Sequence, residues 1–194
     1  MSRKKPRVHY QLDSSGITHL PDNEVKAILR AAHWIIGMGG RSMLTKILKG
    51  SKDKKILEYE LDLNPAYGFY RHLSLPEISK RVDWTIENDY LVIQYGDRLP
   101  LIIYSYIGWE IEKETYTEEL LQILTALLGT EEYHHVENLK DMDRGLILLL
   151  LEKIKSTGNS GFIPLLKAWQ EIDYKKVKIA IQGVINYLEN KKSN

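Results

Sequence analysis

Apolar positions in the first half of the chain recur at helical spacing and are interrupted by glycine. Val25, Ile28, Leu29, Ala32 and Ile36 form one stripe after Pro21-Asp22-Asn23, so a helix is predicted there with Asp22 or Asn23 as its N-cap. Gly37, Gly39 and Gly40 break it; this Gly-x-Gly-Gly run follows a helix rather than a strand and reads as a turn, not a nucleotide loop. Leu44, Ile47 and Leu48 repeat at the same spacing within the stretch 41–57, Gly50 stops that run, and Ser51 can cap a second short helix. Asn64-Pro65 signals a turn, and the rings of Tyr67, Phe69 and Tyr70 are expected to pack on the next helix rather than stack on bases. Ser74-Leu-Pro-Glu77 is a capping box. It opens a helix whose Leu75, Ile78, Val82 and Ile86 face inward, with Lys80 and Arg81 on the other side and Asn88 as a left-handed C-cap.

The pattern then changes. Residues 90–95 and 101–106 are rich in β-branched and aromatic side chains and flank Gly96-Asp-Arg-Leu-Pro100, which predicts a hairpin. Helices followed by a hairpin give the order of a winged helix, with residues 75–87 where a recognition helix sits and the hairpin as the wing. From Thr117 the helical period returns in Leu120, Leu121, Leu124, Leu127 and Leu128, ended by Gly129. Residues 146–154 predict a helix buried on most sides. Phe162, Leu165, Leu166, Trp169, Val177, Ile181, Val184 and Leu188, with an early Pro164 and an intervening Asp173, resemble one HEAT-type helical pair. The expected protein is mainly α with a small β-hairpin wing: a basic arm at 1–20, a winged-helix (helix-turn-helix) domain at 21–113, and a helical, HEAT-like domain at 115–194.

Composition narrows the chemistry. The 194 residues include no cysteine, which excludes disulfides and thiolate-bound zinc. No Gly-x-x-x-x-Gly-Lys-Ser/Thr loop is present to hold a nucleotide triphosphate, and no His-Glu-x-x-His or Ser-His-Asp context points to catalysis. His134 and His135 are adjacent, so on a helix they diverge and do not share a metal; Glu118-Glu119 and Glu131-Glu132 read as solvated faces, and Asp141 and Asp143 flank a helix start. A binding protein without metal or cofactor is therefore expected. The longest apolar run, 146–151, is too short to span a membrane, and the basic start lacks an apolar signal segment, so a cytoplasmic location is expected.

The net charge of +1 conceals an asymmetry. Residues 1–55 hold twelve Lys and Arg against four acids, a net +8, while the remainder holds fifteen against twenty-two, a net −7. Arg41, Lys46, Lys49, Lys52, Lys54 and Lys55 surround the Gly50-Ser51 corner, where two short helices would also bring backbone N–H groups together, and such a place suits a phosphate backbone. Arg3, Lys4, Lys5 and Arg7 can touch DNA as a basic arm or belong to an ordinary chain end.

Gly37-Met-Gly39, Leu48-Lys-Gly-Ser51, Lys55-Ile56, Tyr67-Gly68, the helix at 75–87 and Asp89-Tyr90-Leu91 occur in that order. Together, over about 25–113, they resemble the RQC winged-helix domain of RecQ-type DNA helicases, and are most similar to small stand-alone bacterial RQC-like DNA-binding proteins. RecQ helicases carry a cysteine-ligated zinc module and an ATP-driven motor; neither has a counterpart here. The resemblance implies a non-catalytic DNA-binding protein, nucleoid-associated, working on duplex or forked DNA in repair, replication or recombination. It implies backbone contacts from the matching Lys49, Ser51 and Lys55, to which the surrounding Arg41, Lys46, Lys52 and Lys54, Lys80 and Arg81, and Arg98 at the wing tip add further candidates. The wing is short and its tip offers Arg98 and Leu99 but no aromatic ring, so backbone or groove contact is expected in preference to strand separation. The alternatives are a protein-interaction adaptor, with a protein partner bound through 115–194, and a transcription regulator.

Overall fold

The structure, a computed structural model, describes residues 11–95, 99–130 and 133–192, with the side chains of all of these except 133–135 and 192. The chain divides into two compact units, 1–112 and 113–194. Arg3, Lys4, Lys5 and Arg7 of the expected arm and Arg98 of the wing tip lie outside the described residues, as do Glu131, Glu132 and the side chains of His134 and His135.

The described residues of the first unit include α1 (Asp22–Ala32), α2 (Arg41–Lys49), α3 (Lys54–Glu58), α4 (Leu75–Glu87) and a hairpin of β1 (Leu91–Tyr95) and β2 (Pro100–Tyr104). Val25, Ile28 and Leu29 of α1, Leu44, Ile47 and Leu48 of α2, Ile56 of α3, Ile78 and Val82 of α4, and Leu91 and Ile102 of the hairpin are buried in one core. Full burial of each such side chain is worth roughly 1.5–3 kcal/mol, which is why the predicted stripes meet there. The strands pair antiparallel from Leu91 opposite Tyr104 to Tyr95 opposite Pro100. This is the expected mainly α, winged-helix-like arrangement, followed by a helical C-terminal part.

Several local expectations are corrected. Pro21, in an extended conformation, is the N-cap of α1, and Asp22 and Glu24 lie inside the first turn, where they complement the helix dipole instead of capping it. Leu75 is exposed: it stands at the first helical position, ahead of the turn in which Ser79 reaches Thr45 of α2 at 3.4 Å. The left-handed residue after α4 is Asp89, with φ +59°, while Asn88 has φ −102°; aspartate tolerates that region much as asparagine does. Ser105 and Tyr106 are not strand residues, because the chain turns at Ser105 into a helix, α5 (Tyr106–Ala126).

Gly108 sits in the first turn of α5, against the residue that precedes β1. A Cβ there would stand 1.9 Å from the Tyr90 carbonyl oxygen, so only glycine permits this approach. One turn later, Glu112 is fully buried beneath α1, with Arg30 at 3.5 Å and His33 at 3.3 Å. Residues 11–20 are not a free arm either. Leu20 is buried in the core, and the backbone N–H of Asp13 donates to Asp83 of α4 at 2.9 Å.

The second unit contains the rest of α5 with α6 (Arg144–Thr157), α7 (Ile163–Ile172) and α8 (Lys175–Lys192). Asp143 caps α6 by accepting from the Leu146 N–H at 3.0 Å. That helix buries Leu146, Ile147, Leu150, Leu151 and Ile154 but leaves Leu148 exposed, so it is amphipathic rather than buried on most sides. Pro164 lies in the first turn of α7, and Asp173, between α7 and α8, accepts from the Trp169 indole N–H at 2.7 Å. Among the described residues, no helix is long and apolar enough to cross a membrane.

Candidate nucleic-acid interface

The corner between α2 and α3 is held from both sides. Gly50 ends α2 at φ +74°, a conformation that strains any residue with a Cβ. Its Cβ position lies 3.0 Å from the Cα of Gly68, so the two glycines let the segment 67–70 run directly against the end of α2. The N–H groups of Gly68 and Tyr70 donate to the carbonyls of Ile47 and Leu48, each at 2.9 Å, and the Tyr67 hydroxyl donates to the Ser51 carbonyl at 3.0 Å. Tyr70 itself is buried, with its hydroxyl donating to Glu24 at 2.6 Å; burial first, and then that carboxylate, push its ionisation well above the ordinary value. Tyr67 and Tyr70 are thus packed, in large part on the end of α2, whereas Phe69, expected to pack with them, is exposed.

Ser51 does not cap α3. Its N–H donates to the Lys46 carbonyl at 3.0 Å, and its hydroxyl accepts from the Asp53 N–H at 3.2 Å. The cap is Asp53, whose carboxylate accepts from the Lys55 N–H at 3.1 Å and pairs with Lys46 at 2.8 Å. The Lys46 hydrogen bond first, and the Lys55 N–H next, hold the Asp53 carboxyl below its ordinary range. The N–H groups of Ser51, Asp53 and Lys55 are therefore spent within the corner and do not serve an anion. The preference for aspartate at N-caps was the sequence signal for Asp53.

The candidate cations separate into two groups. Arg41 of α2 forms a two-pronged ion pair with Asp83 of α4, whose carboxylate is fully buried. Lys49 donates to the carbonyls of Arg71 and Leu73, both at 2.7 Å. Lys80 donates to Ser15 at 3.1 Å and has Asp13 at 3.8 Å. Arg81 reaches Glu24 at 3.3 Å and lies over the Tyr70 ring. Residues 13–15 thus cover part of the polar side of α4, the helix in the recognition position. Lys52, Lys54 and Lys55 are exposed, and among the described residues they form no ion pair, although the Lys55 charge helps to hold Asp53 ionised. Arg71 is a basic residue that sequence reasoning missed. It is exposed, donates to the Gly68 carbonyl at 3.2 Å, and comes to the corner only because Gly68 packs on Gly50. Among the described residues, no group of three or more His, Cys, Asp or Glu comes together as a metal site.

A family model of the RQC domain matches residues 22–129, more than half of the chain. The chain belongs to the RQC domain family. Membership implies a DNA-binding role, and the RQC match extends through α5, past the 113 at which the motifs had placed the end of the winged helix. Over 101 residues the chain is 30% identical to the ATP-dependent DNA helicase RecQ of Bacillus subtilis (strain 168), a stretch that is 52% of this chain and 17% of that helicase. The RQC chain matches no solved structure.

Proposed function

We propose that this RQC chain is a non-catalytic DNA-binding protein that grips the duplex backbone at the Gly50-Ser51 corner, in DNA repair, replication or recombination. The observation that carries this reading is the trio Lys52, Lys54 and Lys55: exposed, in no ion pair among the described residues, and mounted on the turn before α3 and its first turn, which internal hydrogen bonds fix. Arg71 lies against Gly68, which packs on Gly50. The Ser51 hydroxyl, whose oxygen already accepts from Asp53, can still donate to a phosphate. Lys49 and Lys46 support the corner's shape, and Arg41, Lys80 and Arg81 support the fold. Arg98 at the wing tip is a further candidate contact. Lysines that touch only phosphates position a protein without reading sequence, so affinity depends on salt and hardly on base order.

The test is fluorescence anisotropy with blunt duplexes of different sequence over a salt series. The expected result is similar affinity for each and a log K that falls linearly with log salt. Replacing Lys52, Lys54 and Lys55 together by alanine flattens the slope by roughly 0.9 for each phosphate that the variant no longer neutralises. Unchanged affinity and slope would remove the corner from the reading. A protein partner for 113–194 is a second part of the proposal, favoured by Ile179, which is exposed on α8 one turn from Gly183. The α7–α8 pair, with Pro164 and Asp173 in their expected places, supports a HEAT-like reading of that unit. If the partner exists, Ile179→Glu abolishes its cross-linking to the chain.

A further inference from the structure

The segment 13–20 is held in two different ways, and Gly16 divides them. After Gly16 the hold is apolar: Leu20 is buried in the core of the first unit, Ile17 packs against that core, and the His19 ring meets Trp84 edge-on with centroids 6.1 Å apart. Before Gly16 it is polar. The Asp13 N–H donates to Asp83 at 2.9 Å, and the Ser14 hydroxyl donates to Glu87. Lys80 donates to the Ser15 hydroxyl at 3.1 Å and has the Asp13 carboxylate at 3.8 Å. These contacts run along α4 from Lys80 to Glu87, about two turns. Asp13 and Ser15 are exposed and bring nothing to the core. Gly16 stands at φ +85° in a turn closed by the Ile17 N–H on the Ser14 carbonyl at 3.0 Å, and nothing lies within 4 Å of its Cβ position. Residues 13–15 can therefore leave α4 by rotation at a glycine while 17–20 stay packed.

We propose that residues 13–15 are an autoinhibitory cover on α4, whose Asp13 competes with DNA phosphate for Lys80. The proposal rests on the backbone-binding reading above and adds a control on its strength. Of the two α4 cations, only Lys80 has its partners on a segment that can leave. Arg81 is held by Glu24 of α1, which no movement of the cover releases, and Arg41 stays on the buried Asp83. The Asp13 carboxyl is kept below its ordinary range first by the Ser15 hydroxyl and then by the Ser15 N–H, with the charges of Lys80 and Arg41 adding to both, so the competing anion stays charged. An ion pair at 3.8 Å between exposed groups is weak and screened by salt, and a polyanion can displace it. Glu87, at the far end of the cover, is an acid, so opening gains a single phosphate contact at Lys80.

Blunt-duplex binding by the full chain is compared across a salt series for the wild type, Asp13→Asn, Lys80→Ala and the double variant. The Asp13 and Lys80 side chains are 58% and 39% exposed, so neither change opens the core. Asp13→Asn keeps the N–H that Asp83 accepts and an oxygen for the Ser15 N–H, and so removes the charge but not the turn. It is expected to raise affinity about threefold and steepen the log K against log salt slope by roughly 0.9, one phosphate. Lys80→Ala is expected to weaken binding about threefold more in the Asp13→Asn chain than in the wild type, where Lys80 only exchanges one anion for another. General loss of negative charge produces no such coupling. Hydrogen exchange gives a second readout: saturating duplex is expected to speed exchange at the Asp13 N–H and leave Leu20 unchanged. No gain from Asp13→Asn, a gain that survives Lys80→Ala, or slower exchange at Asp13 with duplex would overturn the cover. In each of those cases salt-dependent binding lost with Lys52, Lys54 and Lys55 leaves the corner reading standing; if the wild type binds no duplex, both fall.

Discussion

The cations on α4 and those at the Gly50-Ser51 corner look alike as a string of letters and differ in what surrounds them. Lys80 and Arg81 face Asp13, Ser15 and Glu24, and Arg41, which braces α4, faces the buried Asp83. Lys52, Lys54 and Lys55 are exposed and form no ion pair among the described residues, and Asp53, which also feels the Lys55 charge, is paired with Lys46. A cation that already holds a carboxylate has little field left for a phosphate and must lose its partner to bind one, whereas an unpaired lysine exchanges only counterions. The number of basic residues therefore overstates the number of cations clear of a carboxylate, and α4, the helix in the recognition position, has its cations Lys80 and Arg81 beside acids.

The largest effect expected from this contrast is on stability. Arg41→Ala leaves Asp83 buried without its charge partner and should cost about 3 kcal/mol in urea unfolding, with the salt slope of the folded protein on blunt duplex unchanged. A flatter slope at unchanged stability would make Arg41 a phosphate ligand and erase the contrast. Next is the triple alanine variant of Lys52, Lys54 and Lys55. It should bind duplex roughly 100-fold more weakly at low salt and melt like the wild type. The reverse pattern, lost stability with retained affinity, would exchange the roles of the two groups.

Lys49→Ala should fall between the groups. Its ammonium ties down the carbonyls of Arg71 and Leu73, so stability should drop by about 1 kcal/mol with only an indirect loss of affinity. The smallest effect is expected from Asp53→Asn, which keeps an N-cap acceptor for α3 and releases Lys46. Duplex affinity should rise severalfold and the slope steepen by roughly 0.9. The pH dependence has the matching sign. The folded-state pKa of Asp53 lies below its ordinary value of 3.8, so its contribution to stability is present above that value and is lost as pH falls through the folded pKa. Between pH 5 and 8 Asp53 keeps its charge, and the effect of Asp53→Asn on affinity, measured by anisotropy, should be constant there.

Local features were legible. The apolar stripes of α1, α2 and α4, the glycine stop at Gly50, the Ser74–Glu77 capping box, the hairpin and the Asp173 between two helices each depend on residues a few positions apart, which spacing displays. Two of the misses at helix ends were of one kind. Asp53 took the cap expected of Ser51, and Asp89 the left-handed position expected of Asn88, because neighbouring residues can both satisfy such a site and packing chooses. The site was less legible than the fold. That Lys49 turns inward depends on a segment more than twenty residues away, and Arg71 reaches the corner only through the meeting of Gly50 and Gly68.

The sequence by itself determined that this is a mainly helical protein with a hairpin wing, that its positive charge gathers in the first 55 residues, and that its ordered motifs are those of an RQC domain. These follow from periodicity, composition and order along the chain. Tertiary structure alone decided which cations are neutralised, that residues 13–15 lie over α4, that the chain enters α5 at Tyr106, and that Trp34, Tyr59 and Leu99 line one groove. Each of these joins segments that are distant in sequence, and whether two such side chains meet depends on how the whole core closes rather than on any pattern either segment carries.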